Sequence, residues 1–326
     1  MIQIAIIGLG MIGTSLGMAL RSANPKESLL GEVEIVGFDQ NNRAIKDARG
    51  RLAIDREARS IAEVVRNAQI VIVATPVQAI RDIFTQLATL LPAGVIVTDT
   101  ASAKAQVCAW AHELLPTTTH FVGGHPMAGK EQSGALAADP DLFKEAIYCL
   151  TPDPRAHKDS VDVIDAMVNA IGAKSYYIDP DEHDAYVAGV SHLPFLLSAA
   201  LVAATSRSPA WKEMAPLAAT GFHDVSRLAS GDPTMHRDIC ITNHVALTRW
   251  INETITLLVD LREHLAQHDS AALEQFFQHA KEKRDEWLKI KPNQRPGEDV
   301  FSNIHTVERP NLFGFRRPQP DRKRRP

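Results

Sequence analysis

Short apolar runs rich in β-branched residues alternate with helically spaced apolar positions through the first half of the chain. Strands are expected at Ile2–Ile7, Val33–Phe38, 68–74 and 94–99. The intervening stretches read as helices. One covers 14–21, one covers 77–91 with Ile80, Ile83, Phe84, Leu87 and Leu91 on one side, and one runs to about residue 115. Later strands are expected at 146–151 and 175–178, on either side of a helix over 160–170. This βα alternation predicts an α/β fold with a doubly wound parallel sheet. From about Asp181 the strand signal stops. Asp232-Pro233 is a helix start, with a capping carboxylate and a proline in the first turn. Beyond it Ile239, Ile251, Ile255, Leu258 and Leu261 recur along one long helix, and a second helix over 271–290 carries Leu273, Phe276, Phe277 and Trp287. An all-helical half of this kind buries its apolar faces against the first domain and a partner subunit. The chain is therefore expected to divide into 1–180, 181–290 and a basic, proline-rich tail over 291–326.

Composition changes this picture little. The chain has 326 residues, 45% of them hydrophobic and 23% charged, enough for two domains with full cores. A net charge of -4 gives no footprint for nucleic acid. Cys108, Cys149 and Cys240 are scattered without metal-ligand spacing, so they read as small apolar residues in a reducing cytoplasm. The first apolar run lacks a basic segment before it, which argues against a signal peptide. The longest apolar stretch, 185–205, contains His192 and Pro194, and is expected to be a buried helix pair rather than a membrane span.

The first strand runs into Gly8-Leu9-Gly10-Met11-Ile12-Gly13, a G-x-G-x-x-G turn that opens a helix. Backbone N–H groups and the positive end of that helix suit a pyrophosphate. The second strand ends in Asp39, placed to accept hydrogen bonds from ribose hydroxyls, with an extended loop at 24–31 absorbing the extra spacing. A carboxylate there repels a 2′-phosphate, so NAD is favoured over NADP, although Arg43 lies four residues on. In an open parallel sheet ligands sit beyond the carboxyl ends of the strands. Thr75-Pro76 after the third strand, Ser102 after the fourth and His125 after a fifth at Phe121-Val-Gly-Gly fall there. A histidine in Gly123-Gly124-His125-Pro126 is suited to take a proton from a substrate hydroxyl as hydride leaves the same carbon.

Four segments together carry a resemblance. They are Asp99-Thr-Ala-Ser102-Ala-Lys104; Gly124-His-Pro-Met-Ala-Gly129 with Glu131-Gln-Ser133-Gly134; Asp181-Glu-His-Asp184 with Ser191-His192-Leu-Pro194; and Gly221-Phe-His-Asp-Val-Ser-Arg227. From Met1 to about Trp287 the chain resembles the prephenate/arogenate dehydrogenase family of tyrosine biosynthesis. The resemblance implies a Rossmann domain followed by a helical dimerisation domain, a homodimer, and NAD- or NADP-dependent oxidative decarboxylation. It further implies that His125 polarises or deprotonates the C4 hydroxyl and that Ser102 orients it. Arg227 would bind a substrate carboxylate as a planar fork. His192 would support the substrate pocket, the other reading being a hydrogen-bonded core histidine. Glu131 would gate entry or pair with a basic group, the other reading being a solvated charge. Phe195, His223 and His236 depart from patterns common in the family, which bears on substrate choice more than on reaction type. No fused mutase helix is expected before Met1 and no regulatory domain after Lys291. Tyrosine feedback, where present, is then expected at the active site.

Other readings remain open at this point. A β-hydroxyacid dehydrogenase or imine reductase shares the opening turn but relies on a lysine or aspartate in the helical part. A dinucleotide-binding protein without turnover would not need Ser102, His125 and Arg227 together.

Overall fold

The computed structural model describes residues 1–290 apart from Pro25, Glu27, Ser28 and Glu131. The expected tail over 291–326 and Glu131 lie outside the described residues. One sheet contains β1 (Ile2–Ile7), β2 (Val33–Phe38), β3 (Arg56–Glu57), β4 (Ile70–Val73), β5 (Ile96–Asp99), β6 (His120–Pro126), β7 (Ile147–Pro152) and β8 (Lys174–Tyr177). Their spatial order is β3-β2-β1-β4-β5-β6-β7-β8. The connections carry α1 (Met11–Ser22), α2 (Asn42–Gly50), α3 (Ile61–Val65), α4 (Val77–Leu87), α5 (Ala105–Leu114) and α6 (Lys158–Ala170). The strand order reverses direction between β1 and β4, which opens a crevice above their carboxyl ends.

Alternation along the strands builds a core on each face. Ile4 and Ile6 of β1 pack with Leu16, Ile35, Ile70 and Ile72, while Ala5 and Ile7 pack with Val36, Val71, Val73 and Phe84. Each large side chain removed from water here contributes about 1.5–3 kcal/mol. The sequence pattern predicts a parallel sheet, and the sheet is parallel except at one pairing. β7 runs antiparallel to β6, with His125 opposite Cys149, before β8 resumes parallel to β7. The described residues of 127–146 form no crossover helix, only a 3-10 turn at Ala135–Ala137, and an antiparallel return requires none.

The helical part contains α7 (Pro180–Val187), α8 (Leu193–Ser206), α9 (Trp211–Met214), α10 (Thr220–Ser226), α11 (Pro233–Thr242), α12 (His244–Ala266) and α13 (Ser270–Ile290). Met1–Glu263 is one compact unit and His264 onward is another. The single long helix expected after Asp232 is in fact two. Asn243 leaves helical geometry at φ -108 and ψ 35. Its Nδ2 donates to the Asp184 carbonyl (2.8 Å) and to His192 Nδ1 (3.2 Å), bonds that replace a helical continuation.

Between α7 and α8 the chain passes through a π-helical turn at Ala188–His192. Pro194 has no N–H and its ring crowds the carbonyl four residues back, so the widened turn accommodates it. Trp250 of α12 lies against Gly189 and donates from Nε1 to the Ala185 carbonyl (3.1 Å). The continuous run Pro180–Ser206 is long and apolar enough to cross a membrane by length and composition. Only 28% of its most apolar window is buried, so the buried helix pair expected from the sequence is not formed within one chain. One side faces the cleft described below, and the other leaves Leu197 exposed.

Candidate active site

The glycine turn sits at the strand-order reversal. Gly8 has φ +99, and a Cβ there would lie 2.5 Å from the Ala74 carbonyl oxygen. A Cβ at Gly13 would lie 2.0 Å from the Gly8 carbonyl oxygen. Gly10 differs: nothing lies within 4 Å of its ideal Cβ. Two glycines are thus demanded by packing, while the third keeps an open approach to the start of α1, where no side chain caps the helix. Asp39 closes the turn from β2, accepting from Leu9 N (2.8 Å) through Oδ2 and from Asn41 N (2.7 Å) through Oδ1. Thr75, after β4, places Cγ2 beside Gly8 and leaves a buried Oγ1 without a partner. An open backbone cradle, an uncapped helix start and an orphaned hydroxyl fit the phosphates and ribose of a dinucleotide. Gly8, Leu9, Gly10, Met11, Ile12, Gly13, Asp39, Thr75 and Pro76 come together around the carboxyl ends of β1, β2 and β4.

Met11 and Ile12 also line a cavity of about 440 Å³ that runs on to Ser102, His125, His192 and Arg227. Four of the sequence-predicted chemical residues therefore share one cleft, and all belong to the Met1–Glu263 unit. His125 lies within the last turns of β6, not after it, and is 7% exposed. Gly124 before it permits close packing, since a Cβ there would meet the Asp99 carbonyl oxygen at 2.6 Å and the Tyr148 ring at 2.8 Å. Ser102 is half-buried in the loop between β5 and α5. Arg227 follows α10 at the start of a 3-10 turn and reaches the cleft from the helical side, as do Phe195 and His236. Those last two rings are stacked, with centroids 4.1 Å apart and planes within 1°.

Beneath the cleft lies a polar network that sequence reading quoted only within motif segments. His125 Nδ1 is 2.9 Å from His183 Nε2, and His183 Nδ1 is 2.8 Å from Asp184 Oδ1. Asp184 also accepts from the backbone N–H groups of Lys104 (2.7 Å) and Ala105 (3.0 Å) at the head of α5. Lys104 and Asp99 form a fully buried ion pair. Lys104 Nζ donates to the Gly124 carbonyl (2.7 Å), and Asp99 Oδ1 accepts from Gly124 N (3.1 Å). The peptide that carries His125 is thus gripped on both sides.

These surroundings favour neutral imidazoles. Burial, then the neighbouring His183, Lys104 and His192, hold the His125 pKa well below the usual histidine value. Burial pushes His192 down to about 4, with Asp184 acting in the opposite sense. His192 is 1% exposed, and Asn243 Nδ2, which can only donate, makes His192 Nδ1 an acceptor. In the neutral ring the hydrogen then sits on Nε2. That atom is buried without a hydrogen-bond partner. Burial pushes the thiols of Cys108 and Cys149 up to about 11, which removes them as nucleophiles.

Comparison with known proteins identifies the family. A family model described as "Prephenate dehydrogenase, nucleotide-binding domain" matches residues 23–177, starting beyond the glycine turn, and one described as "Prephenate dehydrogenase, dimerization domain" matches residues 179–279. The chain is 34% identical to a prephenate dehydrogenase of Bacillus subtilis (strain 168), over 86% of this chain and 75% of that one. It is 30% identical to a cyclohexadienyl dehydrogenase of Zymomonas mobilis, over 86% of this chain and 94% of the relative. Among solved structures, prephenate dehydrogenase from A. aeolicus in complex with hydroxyphenyl propionate and NAD+ aligns with a TM-score of 0.79 at 29% identity, covering 88% of this chain and 98% of the other. Synechocystis arogenate dehydrogenase aligns with a TM-score of 0.73 at 29% identity, covering 88% and 100%.

Proposed function

The chain belongs to the prephenate dehydrogenase family, and from that membership and the geometry of the cleft we propose that it oxidises and decarboxylates prephenate, or its amino analogue arogenate, with NAD. The observation that carries this reading is the single cleft joining the glycine turn to Ser102, His125, His192 and Arg227. Bound NAD supplies the acceptor for the hydride that leaves C4 of the substrate ring. His125 accepts the proton of the C4 hydroxyl as that C–H bond breaks. The bond from C1 to its carboxylate then breaks, CO2 departs, and its electron pair completes an aromatic ring. His125 returns the proton to the phenolate, so no net proton is taken up. The product is 4-hydroxyphenylpyruvate from prephenate, or tyrosine from arogenate.

Arg227 holds a substrate carboxylate through its planar fork. His192 offers its Nε2 hydrogen to the same anionic substrate, and Ser102 orients the hydroxyl or His125 beside the cofactor. The glycine turn holds the pyrophosphate, Asp39 takes the ribose hydroxyls, and its carboxylate favours NAD over NADP. Phe195 and His236 set a flat aromatic wall in the cleft, so selection between the keto and amino side chains falls to that wall. Functionally, residues 1–180 serve the dinucleotide and 181–290 serve substrate and pairing. The protein acts as a cytoplasmic homodimer, a reading supported by the match to a dimerization-domain model and by apolar positions left exposed on α8 and α12.

The test is an assay of purified protein with both substrates against both dinucleotides, following reduced nicotinamide. Turnover of at least one substrate, faster with NAD, is expected. Turnover of neither substrate with either dinucleotide overturns the reading.

A further inference from the structure

We propose that His183 and Asp184 are positioning residues that fix the tautomer of His125, so that the lone pair of its Nε2 faces the cleft. This rests on the reading of His125 as proton acceptor, and it assigns a role to two residues beneath the cleft.

The hydrogen bonds run outward from the head of α5. An ionised carboxylate only accepts. Asp184 already accepts from two backbone N–H groups, those of Lys104 and Ala105, which have no alternative protonation state. Its third contact, with His183 Nδ1 at 2.8 Å, therefore requires the hydrogen on that nitrogen. In a neutral ring His183 Nε2 then carries the lone pair. It faces His125 Nδ1 at 2.9 Å, and that bond forms only if His125 Nδ1 carries a hydrogen. The remaining nitrogen of His125, Nε2, is left with its lone pair, and His125 lines the cavity.

The opposite arrangement has a clear consequence. A doubly protonated His183 would donate to both neighbours and force the hydrogen of a neutral His125 onto Nε2. The cleft would then meet a donor that cannot take the substrate's proton. Several features weigh against it. Two backbone donors and the positive end of α5 already compensate the Asp184 charge. His183 is 0% exposed, and the buried Lys104 ammonium lies in the same network. The charged and titratable groups around the imidazole pair are Lys104 at the head of α5, Asp99 at the end of β5, Asp184 on α7 and His192 on the π turn. Arg227, Lys130 and His236 line the cavity beyond. Burial, His183 and Lys104 together keep His125 uncharged, which leaves tautomer as the property that His183 controls.

The relay is tested by ¹⁵N spectra of histidine-labelled full-length protein at neutral pH, with the His125 signals assigned by their loss in His125→Asn. The expected spectrum has His125 protonated at Nδ1 and bare at Nε2. A hydrogen on Nε2 overturns the proposal. Two variants carry it to function. His183→Leu removes the acceptor, so kcat should fall roughly 10²-fold or more while NAD affinity is unchanged. His183→Gln keeps an acceptor near the position of Nε2, and should keep the Nδ1–H form of His125 and most of kcat. Equal loss of kcat in both variants, or no loss in His183→Leu, contradicts the assignment. Should His183→Leu fail to fold, the wild-type and His183→Gln spectra decide. A wild-type protein that turns over neither substrate would end the proposed function, while the spectra would still decide the tautomer.

Discussion

At the scale of single residues, burial does most of the chemical tuning. Burial at the end of β6, then His183, Lys104 and His192 close by, hold the His125 pKa well below the usual histidine value. His192 shows the same effect with a consequence for stability. Its pKa falls from 6.5 to about 4 on folding, so the unfolded chain binds more protons between those values. The stabilising effect is complete above the unfolded value and is lost as pH falls toward 4. For this one group the loss is about 3 kcal/mol. Thermal melts should give a clearly lower midpoint near pH 4 than at neutral pH, and His192→Phe should reduce that difference. An equal midpoint at both pH values would show that the histidines do not resist protonation. Arg227→Ala should chiefly raise KM for the carboxylate substrate, with a smaller effect on kcat. An unchanged KM would move the carboxylate elsewhere. His125, Ser102 and Arg227 were legible in the sequence because each stands in a segment with its own pattern. His183 and Lys104 were not assigned, because their roles depend on partners brought together by the fold. His183 lies 58 residues from His125, and no local spacing signals that contact.

At the scale of elements, the glycine turn separates packing from binding. Gly13→Ala drives a methyl into the Gly8 carbonyl and should destabilise the first βα unit as well as abolish NAD binding. Gly10→Ala meets nothing within 4 Å, so its melting midpoint should stay near wild type. Its methyl would occupy the approach expected for the pyrophosphate, and NAD affinity should fall on the order of tenfold or more. Measuring midpoint and NAD affinity for both variants checks this. A Gly10→Ala protein with normal affinity would place the phosphates elsewhere. The βα alternation of the first half was readable because strands buried on both faces are short, continuous and β-branched. The direction of β7 was not, since strand composition is the same for parallel and antiparallel pairing. Nor was the break at Asn243. The apolar spacing runs on through it, and only the bonds to Asp184 and His192 end the helix there.

At the scale of the whole molecule, the Met1–Glu263 unit carries exposed apolar side chains on its helical part. On α12, Ile255 and Leu258 are 52% and 58% exposed one turn apart, and Trp250 lies on the same helix. The proposed homodimer would cover that surface with a second copy of this chain, in keeping with the match to a dimerization-domain model. Leu258→Asp should shift the protein from two chains to one in light scattering. A variant that remains dimeric would move the interface to another face. The helical periodicity predicted apolar faces here, but which faces turn inward is decided by packing that a single sequence does not contain.

The proposed reaction turns on His125 coupling hydride loss to decarboxylation in one cleft. The direct measurement is the stoichiometry of reduced dinucleotide and CO2 formed from prephenate or arogenate, for wild type and His125→Asn. Wild type should form the two products in equal amounts, and His125→Asn should lose both together by roughly 10²-fold or more while still binding NAD. Dinucleotide reduction without CO2, or wild-type rates in His125→Asn, would contradict it.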